Sequence, residues 1–170
     1  SEFNSTYSKL YVGVNSTNAI YVIDTTTNTL STTIPFVGGL DGVFVPTNNC
    51  LYVTNPSDEI KVINTLTNTI IQTLTGFTSS RRVLYNPSNN YVYVTGNGLP
   101  YIKLIDASTN TIVATLNITN PYESLYIPST NEVYFTNLGY NTVSRIRCNF
   151  LPTPTPTPTN TPVATATPTP

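Results

Sequence analysis

No histidine, methionine or tryptophan occurs in this 170-residue chain, and only 9% of its residues are charged. The missing histidine removes the commonest general base and the commonest metal ligand together. Ser-His-Asp triads, Cys-His dyads and histidine-bearing zinc sites are thereby excluded within the chain. Seven basic and eight acidic side chains give a net charge of -1. That offers no electrostatic case for nucleic acid, which needs clustered Lys and Arg. No run approaches the ~20 apolar residues of a membrane span. No signal peptide is legible, although a mature secreted chain would have lost one.

Only two cysteines are present, Cys50 and Cys148. They lie far apart and lack C-x-x-C spacing, so two readings stay open: a disulfide, or two buried free thiols, the latter favoured. Solubility must rest on Thr, Asn, Ser and the 12 tyrosines. Such a neutral, hydroxyl-rich surface fits an extracellular or cell-surface setting, virus particles included.

What is present is a repeat. Tyr11-Val12, Tyr52-Val53, Tyr93-Val94 and Tyr134-Phe135 each stand 41 residues from the next, and Pro46, Pro87 and Pro128 keep that step. Periods of this length signal an array of supersecondary units, each unable to bury its apolar face alone. Within one unit, Val43-Phe44-Val45, Leu51-Tyr52-Val53-Thr54, Ile60-Lys61-Val62-Ile63 and Thr69 to Leu74 read as strands. β-Branched and aromatic residues fill these runs, and Asn, Pro, Ser and Thr fill the gaps. No stretch carries a helical period, so no substantial helix is expected.

The tetrad Tyr52-Val53-Thr54-Asn55, an I-x-V-I-[DN] strand at Ile60 to Asn64, and the T-N-T turn at Thr67-Asn68-Thr69 resemble the YVTN-type β-propeller repeat family. The resemblance covers roughly residues 9 to 147. It implies an all-β, propeller-like array of four-stranded antiparallel blades. Counted by cassette, two blades are full and two partial, with about 14 strands; the first lacks its inner strand and the last its outer one. The expected domains are an N-terminal segment (1–8), the repeat domain (9–150) and a Thr-Pro-rich tail (151–170). Proline at alternate positions precludes helix and ladder, so the tail reads as an extended spacer reaching roughly 60 Å.

Candidate sites are few. Asp41, Arg82 and Glu123 stand 41 apart before the first strand of their cassettes, with Arg81 beside them. In a propeller they would meet at the channel mouth, as a polar ligand site, an inter-blade ring of charge, or solvated loop charge. Asp24 and Asp106 share a repeat position with Asn64 and read as turn-forming side chains rather than an acid/base pair. Asp58-Glu59 lacks the spaced oxygens of a calcium loop. Arg145 replaces Val22, Val62 and Leu104 of the other cassettes. With Arg147, Tyr7 and Tyr140 it is a candidate interface residue. Asn4, Asn15 and Asn117 lie in N-x-[ST] sequons and are glycosylation candidates.

These features favour a non-enzymatic module, secreted or surface-displayed, acting as scaffold or adhesin toward protein or glycan partners. The array either closes within one chain as a small four-bladed propeller or is completed by another chain, as a ring of two copies or through open edges; in the latter case self-association through incomplete terminal blades would build a filament, surface layer or virus particle. No cofactor is expected. The alternative is a lyase- or hydrolase-like propeller enzyme with a carboxylate or tyrosine site at the channel mouth. A raised carboxylate pKa in a concave pocket would favour the enzyme.

Overall fold

The computed structural model describes residues 1–148 except 37, 40, 56 and 57, together with the side chains of all these but Asn15. The tail (151–170) lies outside the described residues. Among the described residues, fifteen strands form four antiparallel sheets, each a meander with its strands in chain order. Blade 1 holds β1 (Glu2–Asn4), β2 (Lys9–Val14), β3 (Ala19–Asp24) and β4 (Thr29–Pro35). Blade 2 holds β5 (Gly42–Val45), β6 (Cys50–Thr54), β7 (Ile60–Asn64) and β8 (Thr69–Leu74). Blade 3 holds β9 (Ser80–Asn86), β10 (Tyr91–Gly96), β11 (Tyr101–Asp106) and β12 (Thr111–Asn117). Blade 4 holds β13 (Pro121–Ile127), β14 (Glu132–Asn137) and β15 (Thr142–Arg147). A 3-10 turn stands at Asn15–Thr17.

The first blade corrects the sequence count. It is not short of its inner strand: Glu2, Phe3 and Asn4 pair with Tyr11, Leu10 and Lys9. Among the described residues, three blades therefore have four strands and one has three. The segment hides because it has only three residues and because Ser5 stands where the later cassettes carry Pro46, Pro87 and Pro128. The inner strands are neighbours in series: β1 contacts β5, β5 contacts β9, and β9 contacts β13.

Local chemistry explains why the first three blades end alike. The turn before each outer strand opens on Asp24, Asn64 or Asp106, whose side-chain oxygen accepts the N–H two residues on, from Thr26, Leu66 or Ser108. It closes on Asn28, Asn68 or Asn110 at φ 56, 56 and 55°, a left-handed conformation that Asn tolerates. The flanking threonines clasp across that Asn, with Oγ1 atoms 2.7–2.8 Å apart. Each outer strand slips register at the same point, beside Val22, Val62 and Leu104.

The core lies between blades. Blade 1 gives Tyr11, Ile20, Val22, Ile34 and Phe36 to a cluster completed by Phe44, Leu51, Val53 and Ile63 of blade 2. The next junction packs Tyr52, Ile60, Val62 and Leu74 against Val92, Val94 and Ile105. The third packs Tyr93, Ile102 and Leu104 against Val133 and Phe135. Alternating side chains serve opposite faces of each sheet, so an inner blade is buried twice, once against each neighbour. Each fully buried aliphatic or aromatic side chain contributes about 1.5–3 kcal/mol.

Candidate functional site

One pattern of polar contacts crosses every junction. Tyr11 of blade 1 donates its hydroxyl to Asn68 Oδ1 at 2.8 Å in the outer turn of blade 2. Tyr52 of blade 2 donates to Asn110 Oδ1 in blade 3. Blade 4 has no such turn among its described residues, and Tyr93 there meets Cys148 Sγ at 3.5 Å. The residues Thr65, Ala107 and Cys148 occupy one repeat position, just after the third strand, and receive the neighbouring blade's polar groups. Lys9 Nζ donates to Thr65 O at 2.8 Å, Asn48 Nδ2 to Ala107 O at 2.6 Å, and Asn86 Nδ2 to Cys148 Sγ at 3.0 Å. A second contact recurs nearer the inner edge: Thr47 Oγ1 donates to Asn90 Oδ1 at 2.7 Å, and Ser88 Oγ to Asn131 Oδ1 at 2.5 Å. Burial raises the pKa of Tyr11 to about 12 and pushes Tyr52 and Tyr93 up as well.

The pattern stops at both ends of the array. On blade 1, Phe3 is 51% exposed, and Leu10, Val12 and Ile23 are half-buried. Their repeat equivalents in blade 2 (Phe44, Leu51, Val53 and Ile63) are at most 8% exposed. On blade 4, Tyr134 finds no next blade and donates instead to Glu132 Oε2 at 2.8 Å within its own sheet. Val143, in the place of the buried Ile20, Ile60 and Ile102, is 63% exposed. Arg145 and Arg147 converge on Glu132 Oε1 at 3.4 and 3.2 Å. The Tyr134 hydrogen bond, then the arginines, hold the Glu132 carboxyl below its ordinary pKa.

At the inner edge the charged column is spent on neighbouring blades. Asp41 Oδ2 accepts the Val83 N–H at 3.1 Å, and Arg82 Nε bridges to Glu123 Oε1 at 2.7 Å. Glu2, which the sequence reading placed in the N-terminal segment 1–8, makes a contact like that of Asp41: its Oε1 accepts the Phe44 N–H at 3.2 Å. The signal was available in the step of 41 from Glu2-Phe3-Asn4 to Val43-Phe44-Val45. A cleft of about 110 Å³ opens between blades 1 and 2, lined by Glu2, Asp41, Tyr11, Gly13, Leu51 and Val53. Desolvation, reinforced by the Asp41 charge after the opposing Phe44 hydrogen bond, raises the Glu2 pKa. Arg81 stands in β9 and does not line this cleft.

The remaining candidates separate. Tyr7 donates to Asn49 Oδ1 at 3.3 Å across the first junction, and Tyr140 is 59% exposed in the last turn of blade 4. Asp58 Oδ1 accepts the Ser79 N–H, and Glu59 pairs with Lys61 at 2.8 Å. Among the sequons, Asn117 is exposed at the end of β12, and the Asn15 side chain lies outside the described residues. Asn4 is corrected as a glycan acceptor: its side chain is buried, donating to Thr65 Oγ1 and accepting from Thr6 N–H. The disulfide alternative is corrected too. Cys50 and Cys148 are both free and buried, packed in different junctions.

No family model matches the chain, and no curated protein matches it. Solved structures do. Over 86% of its length the chain superposes on a chain of Kuenenia stuttgartiensis hydrazine synthase at a TM-score of 0.77 and 18% identity, covering 44% of that chain. Over 85% it superposes on a chain from a mitotic checkpoint complex at a TM-score of 0.73 and 17% identity, covering 46% of that chain. The chain thus spans under half the length of these structural neighbours. What the comparison shows is the fold: an all-β array of the β-propeller type.

Proposed function

We propose that this β-propeller module is a non-enzymatic scaffold, displayed outside the cell, that associates with other chains, copies of itself included, through its two terminal blade faces. The observation that carries this reading is the outer face of blade 1. Phe3 is 51% exposed where its equivalent Phe44 is 8% exposed, with Leu10, Val12 and Ile23 alongside. A sheet face built to the pattern of a buried one is an interaction surface. The neutral, Thr- and Asn-rich composition supports an extracellular setting, and the Thr-Pro tail supports display at a distance from an anchor or a further domain. Kinship with YVTN-type repeats remains part of this reading, resting on the tetrad and turn motifs.

Sedimentation velocity on the wild type and on Val12→Lys tests it. A charge placed on the blade 1 face should abolish a concentration-dependent association that the wild type displays. Equal sedimentation of both at every concentration would reject the reading.

A second reading has one observation in its favour. Glu2, with a raised pKa, faces Asp41 across a cleft, an arrangement suited to acid/base work on a sugar polymer. Turnover of a polysaccharide panel that Glu2→Gln abolishes would put the enzyme in place of the scaffold.

A further inference from the structure

Blade 4 carries the donor half of the recurring junction and blade 1 the acceptor half, and neither half meets another blade among the described residues. Tyr134 occupies the place of Tyr11 and Tyr52, whose hydroxyls reach Asn68 and Asn110. Asn28 occupies the place of those two acceptors, at the same φ of 56°, and is exposed. Ser129 stands where Thr47 and Ser88 donate, and Ser8 where Asn90 and Asn131 accept. Tyr134 is only half-buried, whereas Tyr11, Tyr52 and Tyr93 are at most 2% exposed.

We infer that the partner of these faces is a second copy of this chain, docked head to tail, with blade 4 of one copy taking the place of a preceding blade against blade 1 of the other. The inference rests on the scaffold reading above and names its partner and register. Repeat equivalence sets the contacts: Tyr134 to Asn28 Oδ1, Ser129 to Ser8, and Val143 over Leu10 and Val12.

Charge supports the same pairing. Blade 4 departs from the repeat by presenting Arg145 beside Tyr134, its register partner on the neighbouring strand. Across the blade 2–3 junction, Asp106 lies close enough to Tyr52 to act on it electrostatically. Its equivalent on blade 1 is Asp24, whose carboxylate would face Tyr134 and Arg145 of the second copy. The substitution that departs from the pattern therefore meets an opposite charge. A symmetric pairing of two blade 1 faces would bury phenyl and aliphatic groups but leave Tyr134, Arg145 and Arg147 with Glu132 of their own blade as their partner.

Chain length agrees. The four sheets cover 44–46% of the propeller chains they superpose on. Two copies supply eight blades, within the range of about 4–8 found in closed propellers. A heterologous junction of this kind builds a ring when the rotation closes.

The short side chains at the second contact make the test direct. Ser129→Cys and Ser8→Cys are prepared as separate full-length variants and mixed under copper-phenanthroline oxidation, with light scattering on the same samples. A reference variant, Ser88→Cys with Asn131→Cys, places the same thiol pair at the existing blade 3–4 junction and should close within one chain. The pairing predicts a disulfide-linked dimer in the mixture and little in either variant alone, at least tenfold less. Cross-links within a single variant only, or none while the reference closes and light scattering reports association, would overturn the head-to-tail register and leave the scaffold reading standing. A monomer at every concentration would overturn both.

Discussion

The hydroxyl of Tyr11 donates to Asn68 Oδ1 at 2.8 Å, joining the second strand of one blade to the outer turn of the next. The two residues are 57 apart in sequence. The bond uses both recurring marks of the cassette: the tyrosine that opens the tetrad and the Asn held left-handed in its T-N-T turn. Packing without it would leave the phenol only its 3.3 Å contact to Thr65 O and the amide oxygen only Lys9 Nζ at 3.4 Å, a net loss of about 0.5–1.5 kcal/mol.

Removing this bond at an internal junction should therefore cost more than removing it at the end of the array. Tyr52→Phe, which deprives Asn48 and Asn110 of a buried partner, should lower stability by about 1–2 kcal/mol. Tyr134→Phe, whose hydroxyl meets only Glu132, should cost well under half of that in dilute solution. Urea unfolding of the two variants at low protein concentration checks the order.

Alkaline unfolding should follow these tyrosines. Their pKa is raised in the folded state, to about 12 for Tyr11, against an ordinary value of 10.0. A group with a raised folded pKa contributes stability that is present below the unfolded value and lost as pH rises through the folded one. Stability should thus hold to about pH 10 and fall between about pH 10 and 12. Phenolate absorbance should show Tyr11, Tyr52 and Tyr93 ionising only with unfolding. Simple titration of all 12 tyrosines near pH 10, with the fold intact, would contradict this.

Glu2 should behave with the opposite sign to a salt-bridged carboxylate. Its folded pKa is raised above 4.5 by burial and by Asp41. The protonated form is favoured in the folded state, so ionisation costs stability as pH rises from 4.5 through the raised value. Glu2→Gln keeps an oxygen for the Phe44 N–H and removes the charge. It should equal or exceed the wild type in stability at pH 7, with the gain fading as pH falls below about 4.5. Glu132→Gln should do the reverse, since the Glu132 pKa is lowered. It should be less stable than the wild type at pH 7, with the deficit fading in acid. Denaturant midpoints across this pH range decide both.

Thiol chemistry should report the closed junctions. Cys50 is 3% and Cys148 5% exposed, and neither is in a disulfide. Burial also raises the Cys50 pKa, which withholds the reactive thiolate. A thiol reagent should label neither cysteine in the native protein and both in denaturant. Rapid native labelling would show that a junction opens.

Much of the fold was legible because the cassette repeats at three levels at once. Tyr-Val pairs mark strands, the T-N-T triplet marks the left-handed turn, and the step of 41 registers one against the other. Asp24 and Asp106 are also readable as turn formers, since Asn64 keeps the hydrogen bond without the charge. The first inner strand was not legible. Its three residues are too few for alternation, and its pairing comes from β2 rather than from its own propensity. The cleft was half legible. Asp41 stood out by its column, while Glu2 becomes its neighbour only because β1 lies against β5. Partner choice across the junctions was hidden as well, since the Tyr11 to Asn68 distance depends on how neighbouring blades are rotated about the axis.

The most direct test of the unpartnered terminal faces is absolute mass by light scattering across a hundredfold dilution of the wild-type chain. Pairing of the faces predicts a mass that climbs with concentration from 18.5 kDa toward at least twice that value. A constant 18.5 kDa at every concentration would contradict it.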